Sequence, residues 1–222
     1  MKVTLISHTP EPEKLIASAA KLCYSSSDVQ SLMNGLTTEK IEAFIKKLTD
    51  LGHQSPLEHC TFTFGVEGVS RALLAQLTRH RIASYSVKSQ RYVKEGQFEY
   101  ITPKAIEEDD ILFLEYIKLM KDIQSFYNLA INRGIQAEDA RFILPNACST
   151  QIIMTMNIRS LLNFFELRCC ERAQWEIREM ANVMLKICKE IAPNIFANAG
   201  ASCVRGKCKE GKMSCGNPKG GR

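Results

Sequence analysis

No apolar run in the chain is long enough to span a bilayer, and there is no internal repeat or low-complexity linker. These absences exclude a membrane helix, a solenoid and a string of tethered modules. The residues Met1 to His8 turn polar too soon to form a secretory h-region, which predicts a cytoplasmic protein. Nine cysteines are an odd count that cannot all pair within one chain, so reduced thiols are expected. What is present is ordinary for a soluble globular protein: 222 residues, 45% hydrophobic and 24% charged. That length buries a sizeable core without disulfide staples and predicts one domain over residues 1–197, followed by a Cys/Gly/Lys-rich tail over 198–222.

The hydrophobic pattern predicts an α+β fold with a central sheet flanked by helices. Val3 to Ser7 reads as a strand, followed by a proline turn and a helix from about Glu13 to Cys23 and then a serine-rich loop. Ile41, Phe44, Ile45, Leu48 and Leu51 fall at helical spacing between the capping candidates Thr37 and Thr38 and the terminating Gly52. Thr61 to Glu67 alternates as a strand and leads into a helical period through Leu73, Leu74 and Leu77. Further elements are a strand over Phe98 to Thr102, a long helix marked by Ile111, Leu114, Ile117 and Met120, and a strand over Gln151 to Met156. The last two helices carry Leu161, Phe164 and Phe165 behind the N-cap Asn157, and then Trp175, Met180, Val183, Met184, Ile187 and Ile191 before Pro193.

Between Glu67 and Glu95 there is no acidic residue, whereas Arg71, Arg79, Arg81, Lys88, Arg91 and Lys94 supply six cations around His80. Ser84, Tyr85, Ser86, Ser89 and Gln90 interleave hydroxyl and amide groups among them. Guanidinium forks bind phosphate oxygens bidentately and small polar groups fill the remaining positions, so the segment suits a phosphorylated ligand. Nucleic-acid contact through Arg79 to Arg91 is the alternative, although Tyr85 alone makes no base-stacking platform. Arg168 continues the apolar stripe of Leu161, Phe164 and Phe165, where an unpaired guanidinium is costly and must meet a carboxylate or a bound anion. Arg159 and Asn163, four residues apart, share a polar face of the same helix.

The segment Arg79-His80-Arg81, followed after seven residues by Ser89 and then Gln90-Arg91-Tyr92, resembles the signature of flavin-dependent thymidylate synthases. His53 to His59, Ala140 to Pro145, Asn157 to Phe164, Leu167-Arg168 and Ala173 to Ile177 resemble further blocks of that family in the same order. The resemblance implies an enzyme that methylates dUMP to dTMP, with 5,10-methylenetetrahydrofolate as carbon donor, NADPH as reductant and FAD as redox carrier. It also implies a mixed α/β subunit assembled as a homotetramer with sites between subunits, and no metal, membrane or nucleic-acid partner. By position, Ser55, Arg79, His80, Arg81, Asn157, Arg159, Asn163 and Arg172 would contact FAD. Gln76, Ser89, Arg91, Arg141 and Arg168 would contact dUMP, with Arg168, Arg79 and Ser89 closest to the chemistry. Ser86 stands where the family often has Asn, Val87 where it often has an acid, and Arg172 where a His is familiar.

Cys169 and Cys170 lie beside Arg168, where a cation would favour a thiolate, but the resemblance implies a mechanism without a protein cysteine, and buried small hydrophobes are the alternative reading. In the tail, Cys203, Cys208 and Cys215 lack the paired spacing of a zinc site, and the surrounding Gly and Lys residues suggest flexibility.

Overall fold

Val3 to Ser7, Thr61 to Glu67 and Gln151 to Met156 become strands and the period-3.6 segments helices in a computed structural model that describes residues 1–219. The chain runs through β1 (Lys2–His8), α1 (Pro12–Leu22), α2 (Val29–Asn34), α3 (Thr38–Asp50), β2 (Thr61–Ser70), α4 (Arg71–Leu77) and β3 (Ser84–Val87). It continues through α5 (Lys104–Glu107), α6 (Asp110–Asn132), α7 (Ala137–Ala140), β4 (Ser149–Asn157), α8 (Ile158–Arg168), α9 (Trp175–Ile191) and α10 (Pro193–Phe196). The strands form one antiparallel sheet in the order β1-β2-β4-β3. By packing, the chain divides into two compact units, the first comprising Met1–Lys2, Val66–Arg79 and Tyr85–Ile153, the second Val3–Gly65, His80–Ser84 and Met154 onward.

Local sequence accounts for the boundaries. Helix α3 starts at the N-cap Thr37 and ends where the Gly52 N–H bonds to Thr49 O and the His53 N–H to Leu48 O. That pair of bonds is a Schellman closure, and Gly52 supplies its left-handed residue at φ 71°. The serine-rich loop contains a helix that hydrophobic spacing misses: Asp28 accepts from the Ser31 N–H at 2.9 Å and starts α2. In β2, Phe62, Phe64 and Val66 are fully buried in strict alternation, until Gly68 at φ 66° shifts the phase and buries both Val69 and Ser70.

The second unit is built on aromatic contacts. Phe62 meets Phe196 edge-on at 5.9 Å between centroids, Phe196 meets Phe165 at 6.0 Å, and Phe165 meets Phe164 at 5.6 Å. Helix α8 turns Ile158, Leu161, Phe164 and Phe165 into this core. Helix α9 buries Ile177, Met180, Ala181, Met184, Leu185 and Cys188, while Val183 of the expected stripe is exposed. The tail also differs from the flexible segment its composition suggests, because Ala199, Ala201 and Cys203 are buried.

In the first unit, Phe98, Met120 and Cys148 form a small core with Tyr100, Tyr116, Ile123 and Leu144 against it. The strand expected over Phe98 to Thr102 is a single bridge between Tyr100 and Cys148. The flanking bonds Ile101 N to Ala147 O and Ser149 N to Glu99 O complete that bridge, and Pro103, without an N–H, ends the pairing. Conversely, Ser84 to Val87, read as ligand-binding polar sequence, is the edge strand β3, with Tyr85 and Val87 half-buried and Ser84 and Ser86 exposed. The apolar stripe of α6 is only partly core: Met120 is 3% exposed, but Ile111 is 76% and Leu114 67% exposed.

Gly68→Ala tests the phase shift in β2. The new Cβ would sit 3.5 Å from the Met1 backbone, an ordinary contact. The cost is therefore conformational, about 1–2 kcal/mol for a left-handed alanine, read as a lower urea midpoint; an unchanged midpoint would contradict the assignment.

Candidate active site

Strand β4 feeds directly into α8 at Asn157, whose side-chain oxygen accepts from the Ser160 N–H at 2.8 Å. This cap sets Arg159 and Asn163 on the exposed face of the first two turns. Arg159 Nη1 donates to Glu58 Oε1 at 2.5 Å, and Glu58 lies in the short turn opened by Ser55. Ser55, Asn157, Arg159 and Asn163 are thus brought onto one region of the second unit, where α8 packs against that turn.

At the other end of α8, Arg168 Nε donates to His80 Nε2 at 3.0 Å. An imidazole nitrogen that accepts carries no proton, so the ring is neutral with its proton on Nδ1. Burial drives the His80 pKa down to about 4 and the neighbouring Arg168 charge acts in the same direction. The edge of the buried Phe164 ring fixes the imidazole from the side, with centroids 5.0 Å apart. Where the sequence led us to expect a carboxylate or a bound anion at Arg168, its Nε instead meets a neutral histidine.

The first unit carries Gln76 on α4 and the loop after β3. Lys88 N–H bonds to Gln151 O at 3.0 Å, and Arg71 Nη2 donates to Lys88 O at 2.8 Å. These bonds pin the start of the loop that presents Ser89 and Arg91. Ser89 Oγ accepts from the Arg91 N–H at 3.2 Å, which closes a local turn. Arg91 Nε and Nη2 reach Glu138 Oε2 at 3.0 and 2.9 Å, and Arg141 Nε donates to Glu138 O at 3.1 Å. Two of the expected substrate-binding cations therefore converge on one residue of α7. Burial pushes Arg71 below its usual value, and the Arg141 charge adds to this.

Arg79 closes a segment of the first unit and His80 opens one of the second. Arg79 and Arg81 are exposed, and among the described residues neither guanidinium has a hydrogen-bond or ion-pair partner. Arg172 is committed instead, with Nη1 2.6 Å from Glu210 Oε2. Reading the sequence missed the partners Glu58, Glu138 and Glu210, and it named Arg71 as one of six cations without its role as loop anchor. The thiol beside Arg168 is no nucleophile candidate: Cys169 is 2% exposed and burial raises its pKa to about 12.

The depressed His80 value makes stability depend on pH. The unfolded chain binds this proton near pH 6.5 and the folded chain only near 4, so the unfolded state holds more protons between those values. Stability then falls as pH drops through this window. His80→Gln, which keeps a neutral acceptor, should flatten that part of a thermal-unfolding profile; an unchanged slope would contradict a neutral buried ring.

The family model described as "Thymidylate synthase complementing protein" matches residues 4–194. A flavin-dependent thymidylate synthase of Clostridium tetani is 50% identical, covering 97% of this chain and 93% of the relative. That of Geobacter sulfurreducens is 49% identical over 97% of this chain and 94% of its own. That of Pyrococcus furiosus is 42% identical over 95% and 90%. With these matches over nearly its whole length, the chain belongs to the flavin-dependent thymidylate synthase family.

Proposed function

We propose that the chain methylates dUMP to dTMP, with 5,10-methylenetetrahydrofolate as carbon donor, NADPH as reductant and FAD as cofactor. The observation that carries this reading is the pair of exposed guanidiniums, Arg79 and Arg81, without carboxylate partners among the described residues, on either side of a histidine bonded to Arg168. Exposed cations without a carboxylate suit an anionic dinucleotide, so the donor set fits FAD. When bound, FAD supplies the hydride chemistry. Nothing favours the nucleic-acid alternative, whose stacking candidate Tyr85 is half-buried with its hydroxyl donating to Leu77 O at 2.9 Å.

In this proposal Ser55, Arg79, His80, Arg81, Asn157, Arg159 and Asn163 hold FAD. Arg172 contributes a charge largely offset by Glu210. Gln76, Ser89, Arg91, Arg141 and Arg168 hold dUMP. Ser89 positions the nucleotide and does not attack it: its Oγ accepts from the Arg91 N–H, and among the described residues no base takes its proton. Arg168 stabilises negative charge developing on the uracil oxygens from a guanidinium whose plane His80 fixes. The Arg91–Glu138 and Arg159–Glu58 pairs are about half exposed. Such exposed pairs are weak, so a phosphate can displace either carboxylate.

The proposal includes a cytoplasmic homotetramer whose sites draw on more than one subunit. Leu112, Leu119 and Phe126 recur every seven residues along α6 and are each more than half exposed, an apolar face suited to another copy of the chain. All nine cysteines are free thiols, in keeping with a reducing compartment.

The purified protein should be yellow and form dTMP from dUMP, NADPH and methylenetetrahydrofolate; a colourless protein that cannot be reconstituted with FAD would overturn the reading. Glu138→Gln removes a competitor for Arg91 and should tighten dUMP binding by about two- to fivefold, with weaker binding the contrary result. Mixing inactive Arg91→Ala and Arg168→Ala proteins should restore activity through hybrid sites, and no recovery despite demonstrated subunit exchange would place both side chains in a site from one chain.

A further inference from the structure

Seven residues, Glu166 to Arg172, contain the end of α8 and the turn that follows it, with Arg168 among them. Glu166, Glu171 and Arg172 of this segment are each paired with a side chain of the tail. Glu166 accepts from Arg205 Nη2 at 2.5 Å and Lys209 Nζ at 2.7 Å. Glu171 receives Lys219 Nζ at 2.8 Å in addition to Arg178 of α9 at 3.0 Å. Arg172 donates to Glu210. The tail is closed on itself where the Lys219 N–H donates to the Sγ of buried Cys203 at 3.3 Å.

We propose that residues 203–219 are a positioning strap for Arg168, a role that rests on Arg168 meeting dUMP. Glu166 and Arg168 are two residues apart in a helix and project from different faces. The face with Phe164 and Phe165 sets Arg168 against His80, and the tail grips the helix through Glu166 on another side. The strap is needed because α8 ends without a left-handed residue: none of Cys169, Cys170 and Glu171 has a positive φ. No Schellman closure secures the last turn, and Lys219 Nζ, 3.5 Å from Cys169 O, brings a cation to the carbonyl end of the helix instead. Each ion pair is solvent-accessible and weak alone. Four of them from one segment restrain the orientation of the turn far more than they add to global stability.

The test uses full-length, FAD-loaded enzyme. Glu166→Arg sets a third cation against Arg205 and Lys209 and should lower kcat/KM for dUMP about tenfold or more, with the flavin spectrum and oligomeric mass unchanged. Adding Arg205→Glu to that variant should restore most of the loss by exchanging the charges. Should Glu166→Arg not fold, the triple variant Arg205→Gln/Lys209→Gln/Glu210→Gln should show the same selective loss. Wild-type kcat/KM in the strap variants, beside a strong loss in Arg168→Ala, overturns the strap and leaves the role of Arg168 standing. Full activity in Arg168→Ala overturns the underlying reading. A loss accompanied by release of FAD or dissociation of the oligomer assigns the tail a structural role and also overturns the proposal.

Discussion

A guanidinium nitrogen 3.0 Å from an imidazole nitrogen permits one arrangement of protons, with arginine donating and histidine neutral. Placing two cations at that distance in a partly desolvated site would be repulsive, and the protein avoids it by burying the ring until its pKa lies near 4. The burial comes from the core. Phe62, Phe196, Phe165 and Phe164 form a series of ring contacts that ends on His80. A change in packing at β2 or α10 would therefore reach Arg168 through rigid aromatic neighbours. His80 has two parts in this account, one toward the flavin and one in holding the plane of the guanidinium proposed to face uracil.

Around that pair, charge is held in two ways. Arg91, Arg141 and Arg159 rest on glutamates or their carbonyls at the surface, contacts that a phosphate can replace at small cost. Arg79 and Arg81 have no such partner among the described residues. A site meant for several anionic ligands gains from both: bare cations draw an anion in, and paired ones keep the protein stable until a ligand takes the place of the carboxylate.

Much of this was legible in the sequence where one local rule decided the outcome. Asn157 followed by an apolar stripe gave the cap, face and direction of α8, and that stripe led to Arg168. Gly52 marked the end of α3. The acid-free stretch from Arg71 to Lys94 located the cations, and the ordered blocks identified the family. What stayed hidden depends on distant partners. The carboxylates on Arg91 and Arg159 come from residues 47 and 101 positions away, and spacing within a helix cannot find them. Phe98 to Thr102 has the composition of a strand, but pairing is decided by what lies beside it. The α6 stripe marked a helix, but periodicity reports an apolar face without reporting what covers it. The tail looked loose because glycine and lysine are counted as flexible when their partners, Glu166 and Glu171, are out of view.

The most direct measurement of the central claim is thermal unfolding of the wild type, Arg168→Lys and Arg168→Ala, each with and without saturating dUMP. A ligand that binds only the folded state raises stability by about 2.7 kcal/mol at a hundredfold excess over its dissociation constant. The account predicts a clear dUMP-induced rise in wild-type Tm, little or none in Arg168→Ala, and only a small rise in Arg168→Lys, whose point charge cannot reproduce the planar fork. If both variants kept the full wild-type shift, Arg168 would be a structural partner of His80 alone, and the proposed site would be wrong at its centre.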